Sequence, residues 1–267
     1  MTPKIFTTVI DLYLPEPHAS LLNGILFGID LKTTKEFYEQ LKMVGLLHLV
    51  VLSGINITLL SSIISQSTQF FSKKLSILIT IISIIFFVLF VGIQAPILRA
   101  ALMGILTLVA NYTGRKNYSL YALILSFVLS LIFFPSWLKT VSFQLSYAAT
   151  LGIILFGEKN IKKSENNFIN FYHQIKADFK TSLAAQIFTA PIIFIYFKQI
   201  SLIAPLANVL VSFFVPFLMV LGFLTAILGK INFYLGFPFA WACYLILSYI
   251  IFIVETLSKI PGIFIKF

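Results

Sequence analysis

Long apolar stretches alternate with short polar connections along nearly the whole chain. Stretches such as 75–91 and 120–134 are apolar on almost every face of a helix, so they lack the strict alternation that is typical of transmembrane β-strands. A helix needs about 20 mostly apolar residues to cross the hydrocarbon core of a bilayer. The pattern therefore predicts an all-α fold, a polytopic transmembrane helical bundle with some broken or re-entrant helices.

We expect about eight spans in this bundle. The 201–229 stretch is long for one helix and contains Pro205 and Pro216, so two short elements that enter and leave from the same side are an alternative. The predicted spans are residues 43–65, 75–93, 97–113, 119–135, 141–157, 181–198, 201–229 and 239–258.

The first 42 residues differ from the rest, because they are interrupted by prolines and charges before the first full span. We predict interfacial or re-entrant helices over 1–42 and a transmembrane domain over 43–267. Thr33 and Glu36 have the spacing of a capping box for a helix through Lys42. Residues 1–14 lack the apolar core of a secretory signal, so no cleaved signal is expected.

Composition agrees with a membrane protein. The chain is 59% hydrophobic and 10% charged, whereas soluble domains are about half apolar and a quarter charged. Its net charge of +10 is weak support for a nucleic-acid partner, because lysines also fix the topology of membrane proteins. The basic residues cluster in alternate connections, and the polar stretch 158–180 is predicted to be a solvated cytoplasmic loop.

Several polar or helix-breaking residues fall inside the predicted spans, where unpaired polar groups are costly and often line a solute path. Helix packing and hydrogen bonding between helices remain an open alternative for the serine, glycine and asparagine residues. Arg99 can reach the interface or hold a phosphate, and we favour the anion-facing role. The ten candidates are His48, Ser53, Gly54, Asn56, Gln94, Pro96, Arg99, Gln144, Gln186 and Asn208.

Catalytic and cofactor chemistry is not indicated. The three histidines, His18, His48 and His173, lie far apart, and no cysteine or carboxylate cluster has metal-ligand spacing. No phosphate-binding GxxxxGK[ST] motif is present. A serine hydrolase built on Ser53 and His48 would need residues about 140° apart on a helix to meet. We therefore expect no metal, no cofactor and no enzyme activity.

Three segments, HLVVLSGIN at 48–56, APILRA at 95–100 and VSFQLSYAATLG at 141–152, resemble in order and spacing the ComEC competence family. The similarity continues through LAAQ at 183–186 and Ala207-Asn208, and covers roughly residues 17–260. The resemblance implies that 43–267 is a competence-type channel domain. Such a channel passes one DNA strand across the bacterial inner membrane into the cytoplasm during natural transformation.

The resemblance also implies partners: single-stranded DNA, membrane lipid, and a separate DNA receptor, nuclease and cytoplasmic motor or helicase. Family members commonly carry a further metallo-β-lactamase-like domain, for which this sequence has neither room nor clustered histidines. We therefore expect no nuclease activity in this chain. A permease or flippase for a smaller anionic solute or lipid-linked precursor is the alternative function, and a scaffold for other proteins is a third.

Overall fold

The computed structural model describes residues 3–50, 54–114, 118–157, 167–260 and 264–266, and these are predominantly helical. Two strands of three residues pair antiparallel, with Ile200 opposite Ile265. The predicted all-α polytopic class is confirmed.

The first six helices are α1 (Lys4–Tyr13), α2 (His18–Phe27), α3 (Lys35–Val44), α4 (Gly54–Ser67), α5 (Lys73–Val91) and α6 (Ala95–Tyr112). The next six are α7 (Ser119–Phe133), α8 (Val141–Phe156), α9 (Asn167–Phe197), α10 (Ala204–Ser212), α11 (Val215–Ile231) and α12 (Phe233–Ser258). The strands are β1 (Gln199–Ser201) and β2 (Phe264–Lys266), and short 3₁₀ helices cover Leu47–Leu49 and Pro135–Lys139.

Four helices within the described ranges are long and apolar enough to cross a membrane: Lys73–Val91, Ala95–Tyr112, Tyr172–Phe197 and Phe233–Ser258. A fifth candidate span, Leu47–Ser67, includes residues 51–53, which lie outside the described part. The pair α10 and α11 is bent by 50° and forms a sixth span if the two are taken together. The other two predicted spans are the apolar helices α7 and α8, of 15 and 16 residues. At about 1.5 Å per residue these are shorter than the roughly 30 Å hydrocarbon core.

The largest core joins the beginning of the chain to its end. Every residue of α2 from Ala19 to Phe27 is buried, and this helix packs with α1, α3, α10, α11 and α12 in one apolar cluster. A Cβ on Gly222 of α11 would lie 2.8 Å from Leu26, so α11 approaches α2 closely. The core thus contains residues from both sides of the predicted boundary at 42/43, and that division stays a prediction.

The middle helices form two smaller cores. Ile57, Ile84 and Ile97 join α4, α5 and α6, and Leu123 packs on Phe143 and Tyr147 where α7 meets α8. On the outer faces, large apolar side chains such as Phe86 and Ile132 are exposed. In a bilayer such side chains face the lipid tails, which are as apolar as the side chains themselves.

The two ends of α3 differ from the sequence prediction. Thr34, not Thr33, is the N-cap, and its hydroxyl accepts from the amide of Phe37 at 3.3 Å. The helix continues two residues beyond Lys42 and ends at Gly45, which has a φ of 78°. Only glycine adopts that left-handed conformation without strain, so Gly45 fixes the turn that leads toward α4.

Helix α9 is longer than predicted. It begins at Asn167 and runs through Pro191 to Phe197, so residues 167–180 are helical and their prediction as a solvated loop was wrong. Residues 158–166 lie outside the described part. Pro191 lies inside α9, and the helix ends before Lys198, which has a positive φ of 53°. The break that follows, residues 198–203, contains β1 and precedes Pro205 at the first turn of α10.

Candidate functional site

Arg99 joins three helices at one point of the bundle. Pro96 lies in the first turn of α6, where a missing amide costs nothing, and Arg99 follows three residues later. Its Nη1 donates to Thr150 Oγ1 on α8. On the other side, Arg99 Nη2 lies 3.3 Å from where a Cβ on Gly54 would be. The absence of a side chain at Gly54 therefore lets the guanidinium rest against α4.

Two buried polar atoms near the Arg99–Thr150 bond have no hydrogen-bond partner among the described residues. They are Arg99 Nε and Ser146 Oγ, one turn before Thr150 on α8. Thr150 Oγ1 itself donates to the Ser146 carbonyl at 2.8 Å. We call Gly54, Arg99, Ser146 and Thr150 the Arg99 cluster. It contains two unused donors, the Nε–H and a hydroxyl, and both suit an anionic oxygen.

The electrostatics of the Arg99 cluster favour an anion. Lys42 and Glu39 form an ion pair, but no carboxylate in the described ranges lies within ion-pair distance of Arg99. The positive charge of Arg99 is therefore uncompensated among the described residues, inside a helix that is long enough to span a membrane.

A second polar group lies where α9 ends. Gln186 Nε2 donates to the Ser201 carbonyl at 2.6 Å, while Gln186 Oε1 and Ser201 Oγ are buried and have no partner in the described part of the chain. A Cβ on Gly45 would lie 3.3 Å from Ser201 Oγ, and His48 Nδ1 donates to the Gly45 carbonyl at 2.9 Å. We call Gly45, His48, Gln186 and Ser201 the Gln186 cluster.

The two clusters lie on a pair of closely packed helices. Gly152, two residues after Thr150, touches the backbone of Ala184 on α9, and Ala184 is two residues before Gln186. Two residues before Ala184 on α9, the Ser182 hydroxyl accepts from Asn208 Nδ2 on α10 at 2.9 Å. The contact between α8 and α9 therefore fixes the relative positions of the Arg99 and Gln186 clusters.

Two predicted candidates make structural hydrogen bonds. Asn56 is buried, and its Nδ2 donates to the Ile25 carbonyl at 2.8 Å, which satisfies an acceptor near the end of α2 where no helical amide follows. Gln144 Nε2 donates to the Leu138 carbonyl at 2.9 Å and so ties α8 to the preceding 3₁₀ turn. Both bonds fit the helix-packing alternative, and a pathway role for either residue stays a prediction.

The two further candidates are Gln94 and Ser53. Gln94 is the N-cap residue of α6 but makes no capping hydrogen bond with its side chain. Ser53 lies outside the described residues. Of the ten predicted positions, the structure places Gly54, Pro96 and Arg99 together, His48 and Gln186 together, and Asn208 nearby on α10.

Residues 25–267 match the family described as Competence protein. The chain belongs to the Competence protein family. This confirms the family resemblance that the motifs at 48–56, 95–100 and 141–152 indicated. All ten candidate residues lie inside the matched range.

Two curated relatives show how far the similarity extends. ComE operon protein 3 of Bacillus subtilis (strain 168) is 26% identical over 222 residues, which are 80% of this chain and 27% of that protein. An uncharacterized protein of Aquifex aeolicus (strain VF5) is 30% identical over 135 residues, 49% of this chain and 32% of that protein. The chain thus aligns with about a third or less of either relative. No solved structure matches it significantly.

Four residues of these clusters in the competence chain were not among the predicted candidates: Gly45, Ser146, Thr150 and Ser201. Ser146 and Thr150 have the i, i+4 spacing of one helix face, a signal that the sequence contained. The contact of Gly45 and Gln186 with Ser201 could not be predicted, because it depends on the chain break after α9. Within the described ranges, no three His, Cys, Asp or Glu side chains form a group that could hold a metal ion.

Proposed function

We propose that this chain is the membrane channel through which a single strand of DNA passes into the cytoplasm during natural transformation. Membership of the Competence protein family supports a role in DNA uptake. The arrangement of charge supports passage of an anion. The chain would then lie in the bacterial inner membrane, and its ligand would be the phosphate backbone of the incoming strand.

The observation that carries the proposal is the uncompensated charge of Arg99. A buried cation without a counter-ion is strongly destabilising, and an ionisable residue inside a span marks a solute path more often than a packing position. Arg99 Nε and Ser146 Oγ have no partner among the described residues. A passing phosphate would supply the acceptor oxygens that both groups lack, and the planar guanidinium suits phosphate geometry.

The small number of fixed charges also suits transport. Each phosphate that a protein neutralises releases counterions and strengthens binding, so a row of buried arginines would hold a polyanion too tightly to move. A single arginine followed by neutral amides and hydroxyls, such as those of the Gln186 cluster, would give weak and repeated contacts. We therefore propose that the strand passes from one cluster toward the other along α8 and α9.

We propose that other proteins supply the force that moves the DNA strand and deliver the strand to the channel. The sequence has no nucleotide-binding motif of the GxxxxGK[ST] type, so we propose that a cytoplasmic motor or helicase pulls the strand. A separate receptor and a separate nuclease would deliver it. If uptake of single strands were unchanged after deletion of every candidate motor in the host, passive passage through this channel would be refuted.

Transport into vesicles tests the channel directly. The purified chain is reconstituted with lipid, and the entry of fluorescent single-stranded oligonucleotides of several lengths is followed beside that of inorganic phosphate. We expect oligonucleotides of every length to enter, and the Arg99→Ala variant to be slower at equal incorporation. Empty vesicles and a Lys74→Ala variant, altered at an exposed position of α5, are the controls.

A permease or flippase for a smaller anion is the second candidate, because the Arg99 cluster would also hold a single phosphate group. The same vesicles separate the two. Passage of inorganic phosphate or a short phosphate ester without any oligonucleotide would favour the permease. Passage of neither oligonucleotides nor phosphate would favour a role as a scaffold for other proteins.

A further inference from the structure

A polar pocket lies at the N-terminal end of the molecule, away from the Arg99 and Gln186 clusters. It is bounded by α1, α2 and the connection that follows α2, and it encloses a cavity of about 30 Å³. Its lining includes Asp11, Glu16, Asp30 and Lys32, with Ser20 and Asn23 from α2. Three of the nine acidic residues of the chain therefore line one pocket in a protein of net charge +10.

The buried wall of the pocket contains an unused acceptor. Asn23 is only 6% exposed, and its Nδ2 donates to Asp11 Oδ1 at 2.8 Å. An ionised carboxylate can only accept, so this bond fixes the orientation of the amide. Asn23 Oδ1 is then left without any hydrogen-bond partner. A buried amide oxygen of this kind needs a donor or a cation, since an unmet acceptor costs about 1–3 kcal/mol.

The charge of the lining indicates which occupant fits. Three carboxylates against the single ammonium of Lys32 leave a formal charge of −2, which one divalent cation neutralises. The cavity has room for at least one water-sized group, so it can hold a small ion. Hard divalent cations bind carboxylate and amide oxygens together.

We propose that this pocket binds one hard divalent cation of the Ca²⁺ or Mg²⁺ type. The ion is held by Asn23 Oδ1 and by one or two of the surrounding carboxylates, and it keeps water on its open side. That mode is usual for Mg²⁺ and needs no group of three carboxylates around one point. Because Asp11, Asn23 and Asp30 come from separate segments, the bound ion ties α1 and α2 to the connection before α3.

The remaining polar contacts already prepare the pocket. Ser20 Oγ donates to the Lys32 carbonyl at 3.0 Å, and the Ser20 amide donates to Glu16 Oε2 at 3.2 Å. These two bonds hold the Glu16 side chain and the Lys32 backbone against α2. Asn23 Oδ1 therefore remains the one buried oxygen of the described lining that is free for an ion.

Calorimetric titration of the purified full chain tests the site. The protein is stripped with a chelator in detergent and titrated with CaCl₂ and, separately, with MgCl₂. We expect one saturable site for at least one ion, with a dissociation constant of about 0.1–1 mM or tighter, as in other exposed cation sites. Asp30→Asn and Glu16→Gln should each weaken it about tenfold or more, because each removes one of the charges that attract the ion.

Glu255→Gln is the matched control, because it neutralises an exposed carboxylate on α12 far along the chain. It should leave the affinity unchanged, and size-exclusion chromatography should show that all variants are equally folded. The absence of saturable binding to the wild type would overturn the proposal and assign the cavity to water. Equal affinity in every variant would overturn it as well, because the ion would then bind elsewhere. Either result is independent of DNA transport.

Discussion

Arg99 on α6 donates to the hydroxyl of Thr150 on α8, and this bond positions the guanidinium between α8 and Gly54 of α4. Thr150 is thereby a positioning residue for the charge that we place on the DNA path. The bond uses Nη1, and Nε has no partner among the described residues. One side of the guanidinium is therefore fixed while another stays available to a ligand.

Thr150→Val keeps the shape of the side chain and removes the acceptor. We expect transformation to fall about tenfold, which corresponds to about 1.4 kcal/mol, because Arg99 loses its orientation while the protein stays in the membrane. The measurement is transformation frequency at equal membrane abundance. Thr58→Val, which removes a hydroxyl bonded within α4 only to the Ile55 carbonyl, is the control, and an equal loss there would contradict the positioning role.

Asn56→Leu should reduce stability rather than transport. The change leaves the Ile25 carbonyl without its donor, and hydrogen bonds between helices in membranes contribute about 0.6–2 kcal/mol. We expect a lower melting temperature in detergent and a transformation frequency that falls only in proportion to abundance. Asn111→Leu, at an exposed position of α6, should change neither. A large loss of transport at normal abundance would move Asn56 from packing to the path.

Gly152→Ala should disrupt the contact of α8 with α9. A Cβ at this position would overlap the Ala184 carbonyl and approach Phe188 to 2.9 Å, and backbone cannot give way as a flexible side chain can. We expect a loss of about 1–3 kcal/mol of stability from overpacking, detected as lower thermal stability and yield. Gly104→Ala is matched to it, because its Cβ would meet Ile57 at an ordinary 3.6 Å. Equal behaviour of the two variants would contradict the close approach.

Ser201→Ala separates a packing role from a transport role. The hydroxyl is buried and has no partner, so its removal should leave stability unchanged or raise it by up to about 1 kcal/mol. If the Gln186 cluster lines the path, transformation should nevertheless fall several-fold. Higher stability together with unchanged transformation would remove Ser201 from the path.

The helical class could be predicted from the sequence because apolar stretches of span length have only one common solution in lipid. The lengths of the helices could not. Residues 167–180 contain enough charge to resemble a loop, yet they continue α9, and Pro191 is accommodated inside that helix. Proline marks where a backbone amide is missing, but neighbouring helices decide whether the helix breaks there.

The candidate site was predictable in its chemistry but not in its grouping. Both Arg99, a charge inside an apolar stretch, and Gly54, a glycine inside a predicted span, were candidates from the sequence. Their contact depends on the way α4 and α6 pack, which periodicity does not determine. The acidic pocket around Asn23 was missed for the same reason, because Asp11 and Asp30 are separated by the whole of α2.

The most direct measurement of the channel proposal is transformation by marked DNA in the host that encodes this chain, with Arg99→Gln, Arg99→Lys and Lys74→Gln at its own locus. Gln keeps the length and polarity of the side chain but removes the charge, and Lys keeps the charge without the planar fork. At equal membrane abundance, we expect a loss of about a hundredfold or more for Arg99→Gln, since a buried phosphate contact of about 3 kcal/mol is removed. Arg99→Lys should be intermediate, and Lys74→Gln, at an exposed position, should match the wild type. Normal transformation in the Arg99→Gln strain would contradict the proposal that the incoming strand passes this residue.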